Sequence, residues 1–110
     1  MSAAINTFKT VTANLTTSTE TIYTAPAGIT AIILMAQITN VTTTPTATTF
    51  AHRRNALDTE LIKDFLVADN DAISATVGKL ILEEGDAVIG SAAANSRLKI
   101  TLSVLESKNA

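Results

Sequence analysis

The sequence predicts an all-β fold: a single-domain antiparallel β-sandwich, jelly-roll-like, of about eight strands over residues 1–110. Three observations carry that expectation. Threonine occurs nineteen times, and its branched Cβ suits a pleated surface better than a helix. Short apolar-alternating segments recur along the chain, separated by turn residues, as in sandwiches and barrels rather than βαβ units. A length of 110 residues fits one domain with one core.

Ile5 to Leu15 reads as the first strand, with Ile5, Val11, Ala13 and Leu15 on one parity, Lys9 the exception and Phe8 opposite. Thr16-Thr17-Ser18 breaks it, and Thr21 to Thr24 forms a second, short strand. Pro26 presets φ for position i+1 of a turn and Gly28 supplies positive φ, so Ala25-Pro26-Ala27-Gly28 reads as a hairpin connection. It leads into a third strand, Ile29 to Val41. There Ile29, Ile33 and Met35 point one way and Ile32, Leu34 and Ile38 the other. A strand apolar on both faces is covered on both. One face meets the core, and another subunit is expected to cover the second.

Thr42-Thr43-Thr44-Pro45 is a loop, followed by a strand over Thr46 to Arg54. Leu57 to Ala68 is ambiguous. Leu57, Leu61, Ile62, Phe65 and Leu66 recur at helical spacing behind Asp58 as a cap, so periodicity favours a helix. As a strand, the segment puts Leu61, Phe65 and Val67 on one face and Ile62 and Leu66 on the other. Its neighbours favour a strand, and a strand is assigned. Ala68-Asp69-Asn70-Asp71 turns the chain. Gly78 to Leu82 runs into the tight turn Glu83-Glu84-Gly85-Asp86, and Ala87 to Ala92 returns as its hairpin partner. After a turn at Asn95-Ser96, Arg97 to Val104 alternates strictly, with Leu98, Ile100, Leu102 and Val104 inward and Arg97, Lys99, Thr101 and Ser103 outward. Ser107 to Ala110 reads as a frayed tail.

Composition excludes several roles. A net charge of −2 gives no field for nucleic acid or an anionic membrane, so neither is an expected partner. Cysteine is absent, which removes disulfides and thiolate metal sites. MSAAINTFKT lacks the pattern of a signal peptide, and the longest apolar run, Ala31 to Ala36, is far below the ~20 residues that span a bilayer. A soluble protein without an export signal is expected.

The chemistry-bearing residues are sparse. His52, the single histidine, has no nucleophile or orienting carboxylate placed by the sequence, and reads as a polar residue at a strand edge or subunit contact. Arg53 and Arg54 are too few for a phosphate footprint; an intersubunit salt bridge to Asp58, Glu60 or Asp64 suits them better. Asp69-Asn70-Asp71 lacks the ligand spacing of a calcium loop and reads as a self-capping turn. Glu83, Glu84 and Asp86 flank a turn glycine and read as solvated turn residues rather than a hydrolytic pair. No metal, no cofactor and no catalytic residue is expected. The interface is expected at Ile32, Leu34, Ile38, Arg53 and Arg54.

Three stretches carry a resemblance: Thr21-Ile22-Tyr23-Thr24-Ala25-Pro26-Ala27-Gly28-Ile29-Thr30, Gly78-Lys79-Leu80-Ile81-Leu82-Glu83-Glu84-Gly85-Asp86, and Thr101-Leu102-Ser103-Val104-Leu105-Glu106. Read in order, they resemble small β-sandwich virion proteins of tailed bacteriophages, particularly marine and cyanobacterial phages. In several of those proteins the segment matching Ala68 to Asp71 carries a Pro-Ala-Gly-like turn, which this chain lacks. The resemblance implies a non-enzymatic structural protein located in the virion and assembled in the host cytoplasm. Its expected role is a capsid decoration (cement) protein, a homo-oligomer (trimer or dimer) that binds and stabilises the major capsid protein lattice. A tail, neck or fibre component is the alternative. So is a receptor- or carbohydrate-binding module, although sugar sites favour exposed aromatics and this chain has only Tyr23, Phe8, Phe50 and Phe65. A cupin-like enzyme would need a His/Glu metal set that one histidine cannot supply.

Overall fold

A computed structural model describes residues 6–109. Every regular element in them is a strand: β1 (Asn6–Asn14), β2 (Glu20–Thr24), β3 (Ile29–Asn40), β4 (Thr46–Arg54), β5 (Leu57–Val67), β6 (Ala72–Ser74), β7 (Leu80–Leu82), β8 (Ala87–Ala92) and β9 (Leu98–Lys108). They form two antiparallel sheets packed as a sandwich. Sheet A runs β1-β9-β3, with β6 and β7 both on the far side of β3; sheet B runs β2-β8-β4-β5.

This is a jelly-roll order with one strand interrupted. β6 pairs with Gln37–Thr39 of β3 and β7 with Ala31–Ile33, so the two are halves of a single edge strand. Ala75 N–H still donates to Ala36 O of β3 (2.8 Å), and the pairing is interrupted over residues 76–79. Counting β6 and β7 as one restores the eight strands expected. The Leu57 segment is a strand, β5, as its neighbours require.

Local turns were expected to be hairpins, and two of them are not. β2 and β3 lie in different sheets, as do β7 and β8. The Pro26 and Glu83 turns are therefore corners that carry the chain across the sandwich. At the first corner Ile29 N–H donates to Pro26 O (3.1 Å) and Gly28 sits at φ 75°. Gly28 thus occupies the positive-φ position of a type II turn, while Pro26 opens the turn at position i rather than i+1. Gly85 plays the matching part at φ 85° in the second corner.

One true hairpin joins consecutive strands within a sheet, β4 to β5. Its loop, Asn55-Ala56, holds both residues at positive φ (51° and 65°), the requirement of a type I′ turn. Asparagine tolerates that region; alanine is strained there.

The core lies between the sheets, around Phe50, Leu15, Ile33, Ile38, Leu98, Ile100, Leu102 and Val104. β9 keeps the inward alternation read from its sequence. Gly90 faces this core, where an added Cβ would stand 3.2 Å from Leu15 Cδ2, so glycine leaves room for Leu15 and Phe50.

β3 departs from the simple alternation. Its pairing with β9 slips between Ile33 and Met35, leaving Leu34 as an extra residue in a β-bulge. Before the bulge Ala31 and Ile33 face the core; after it Ala36 and Ile38 do. Ile38 is 0% exposed and shares the face of Ile33, not that of Ile32 and Leu34. The expected grouping is corrected accordingly: one inserted residue flips every later side chain.

The end of the chain is also better held than a frayed tail. Ser107 and Lys108 belong to β9, and Asn109 N–H donates to Gly28 O at 2.9 Å. Ile5 and Ala110 lie outside the described residues.

Candidate interaction surface

The outer face of sheet A carries one unbroken apolar row. Phe8 stands opposite Leu105, Leu105 opposite Ile32, and Ile32 opposite Ile81, crossing β1, β9, β3 and β7. Residues opposed in this way are in side-chain contact range. Phe8 is 74% exposed and Ile81 58%. Beside the row, the β3 bulge turns Leu34 and Met35 outward together, and a depression of about 240 Å³ opens between Phe8, Thr10, Leu34 and Ser103. Further along the same face the rows become polar, with Thr12 opposite Thr101, Thr101 opposite Gln37 and Gln37 opposite Ser74.

Of the five residues expected at an interface, the structure brings Ile32 and Leu34 together on this face and removes Ile38 to the core. Arg53 and Arg54 are elsewhere, at the end of β4. Both find partners within the chain. Arg53 Nε donates to Asp58 Oδ1 (2.6 Å) and Nη2 to Asp58 Oδ2 (3.0 Å), a fork across the β4–β5 hairpin. Arg54 Nη2 donates to Asp86 Oδ2 (2.6 Å) and Glu83 Oε2 (2.9 Å).

Asp86 is not the solvated turn residue expected from its neighbours. It is buried, and it accepts from Arg54, from the Glu83 backbone N–H (3.0 Å), and lies 3.1 Å from His52 Nε2. The Arg54 hydrogen bond holds its carboxyl well below the usual carboxylate range, with His52 and the Glu83 amide adding and burial opposing. The same corner binds the other: Ala25 N–H donates to Asp86 O, Gly85 N–H to Ala25 O, and Gly28 N–H to Glu84 Oε1. His52, Arg54 and Asp86 thus lock two sheet-crossing turns together. Each side chain is occupied by that task.

A second buried carboxylate went unnoticed in the sequence. Glu106 is inward-facing on β9, 7% exposed; it accepts from Tyr23 Oη and pairs with Lys9 Nζ at 3.2 Å. The Tyr23 hydrogen bond lowers the Glu106 pKa, and burial raises that of Tyr23. The signal was available: Glu106 continues the inward parity of Leu102 and Val104, and an inward carboxylate needs a donor.

Asp69-Asn70-Asp71 forms a turn with Asn70 at φ 53° and Asp71 Oδ1 accepting from Ala72 N–H. Among the described residues no group of three or more His, Cys, Asp or Glu is placed to hold a metal ion.

No protein-family profile and no curated protein matches the sequence. The fold itself recurs in solved assemblies. A chain of the disulfide-linked pili that form Bacillus endospore appendages superposes with a TM-score of 0.59 at 13% identity, over 96% of this chain and 88% of its own. A chain of the acid-stable capsid of Helicobacter pylori bacteriophage KHP30 superposes with a TM-score of 0.57 at 11% identity, over 97% and 90%. In both, a sandwich of this architecture is part of a repeating protein assembly.

Proposed function

We propose that the chain is a non-enzymatic structural protein of a tailed-phage virion, and that it acts as a capsid decoration protein. The observation that carries this reading is the apolar row Phe8–Leu105–Ile32–Ile81 on the outside of sheet A. A row exposed in the isolated chain becomes favourable when another protein covers it, since burial is worth roughly 25 cal/mol per Å² of apolar surface. In a virion the partner is the major capsid protein lattice. Binding only the assembled lattice stabilises it by mass action. The capsid and pilus folds support a role in assembly, and the occupied state of His52, Arg54 and Asp86 speaks against catalysis at that corner. Cysteine is absent from this chain, so the disulfide linkage of the pilus neighbour has no counterpart in it.

The test mixes purified chain with particles that lack it and measures occupancy. Ile32→Asp and Leu34→Asp should each fold and each lose most occupancy. Folded variants that decorate at wild-type level would overturn the reading. A tail, neck or fibre position is the alternative, and labelling intact particles with an antibody to the chain separates it from the capsid surface.

A further inference from the structure

The sandwich has four lateral edges, and three of them are guarded. β6 and β7 are three residues each and interrupted. β2 has five residues and a register shift between Thr21 and Tyr23. β5 is long, but its pairing with β4 shifts twice and it carries Asp58, Glu60, Lys63 and Asp64, with Asp64 at φ 48°. Interruption, bulges and charge are how sheet edges avoid pairing with other chains.

β1 has none of these devices. It runs nine residues, Asn-Thr-Phe-Lys-Thr-Val-Thr-Ala-Asn, in uninterrupted register with β9 and without proline. Its single charge, Lys9, turns inward to Glu106 of the same chain. Among the described residues no strand pairs with its other side.

The register shows which backbone groups are left over. Leu15 N–H donates to Leu98 O at 2.9 Å, one step beyond the last β1–β9 pair, Asn14 with Lys99. Bonded pairs alternate in an antiparallel ladder, so Ala13, Val11, Lys9 and Thr7 bond to β9. Phe8, Thr10 and Thr12 then direct their N–H and C=O groups to the open edge.

We propose that this edge pairs with β1 of a second copy of the chain, antiparallel about a two-fold axis at Thr10. That register joins Phe8 to the partner's Thr12 and Thr10 to the partner's Thr10. It completes about six backbone hydrogen bonds, two for each bonded pair. Among the described residues β1 is the only long clean edge, so its best mate is itself. With the two-fold normal to the sheet, both outer faces of sheet A lie on one side, and the two apolar rows share one surface, offset by four residues along β1. The pairing stands apart from the capsid reading and would serve any assembly that uses that surface.

Sedimentation of the chain across micromolar concentrations, paired with amide exchange, tests it. The expected result is a dimer whose Phe8, Thr10 and Thr12 amides exchange more slowly as concentration rises, while Lys9, Val11 and Ala13 are protected throughout. Thr10→Pro removes one open-edge N–H and leaves the β9 ladder intact; it should weaken dimerisation at least about tenfold with an unchanged circular dichroism spectrum. If Thr10→Pro fails to fold, the wild-type exchange pattern decides alone. A monomer at every concentration, or a dimer whose Phe8, Thr10 and Thr12 amides exchange freely, overturns the proposal. Thr10→Pro leaves Ile32 and Leu34 in place, so loss of dimers with retained particle binding separates this inference from the decoration role.

Discussion

The two sheets present opposite outer faces. Sheet A shows Phe8, Leu105, Ile32 and Ile81 in a row with Leu34 and Met35 beside it. Sheet B shows Thr19, Thr49, Ser91, Asp58, Glu60 and Lys63 around a shallow polar depression of about 270 Å³. Its outward Ala51 and Ile89 are themselves buried beneath such neighbours, and Leu66, 61% exposed opposite Ala47 near the end of β5, is a single large apolar side chain rather than a row. One inner surface serves both sheets, so the core does not require this asymmetry. A sheet wet on one side is polar there. Sheet B largely obeys that rule and sheet A breaks it along a whole row at one end, which is what motivates the proposed docking face.

The largest expected effect separates the inside of sheet A from its outside. Ile38→Asp places a carboxylate among core side chains and should cost about 4 kcal/mol or more, enough to unfold a small domain. Ile32→Asp, six residues earlier on the same strand, should change stability by less than about 1 kcal/mol. Chemical denaturation of the two variants checks the bulge directly: equal losses would mean the two residues share a face.

Next in size is the corner that holds the sheets together. Asp86→Asn removes the charge that Arg54 and His52 address and should cost about 2 kcal/mol. The native carboxyl titrates below its ordinary value of 3.8. Its contribution is therefore fully present above that value and lost as pH falls through the native pKa below it. Wild-type stability should decline below about pH 4, and Asp86→Asn should flatten that decline, read from denaturation midpoints at several pH values.

Gly28→Val tests the other corner. Nothing lies within 4 Å of a Cβ built there, so the cost is backbone strain at φ 75°, about 1–2 kcal/mol, visible as a lower Tm. The smallest effect is a gain. Ala56→Gly relieves the alanine at φ 65° in the β4–β5 turn and should stabilise by up to about 1 kcal/mol, raising Tm by a few degrees.

Much of the fold was legible because strand periodicity and turn chemistry are local. β4 and β8 begin and end where their sequences say, and β9 alternates as written for most of its length. What was not legible is non-local. A Pro-Ala-Gly or Glu-Gly-Asp turn looks the same whether the next strand stays in the sheet or crosses to the other. The Leu34 bulge hides inside the apolar run Ala31 to Ala36, where every residue suits either face, so its effect on Ile38 could not be read. The Asn55-Ala56 hairpin lacks the glycine that usually announces a type I′ turn. Asp86 resembled its solvated neighbours because its partners, His52 and Arg54, lie more than thirty residues away. Ile32 and Leu34 survived as surface candidates because they precede or form the bulge.

The central claim is that the apolar outer face of sheet A is the face that docks. A cryo-EM map of particles carrying the chain tests it most directly, at a resolution that shows side chains. The account predicts Phe8, Ile32, Leu105 and Ile81 in contact with a neighbouring protein and Thr49, Glu60 and Ser91 of sheet B facing solvent. A map with sheet B against the neighbour and the Phe8–Ile81 row bare would contradict it.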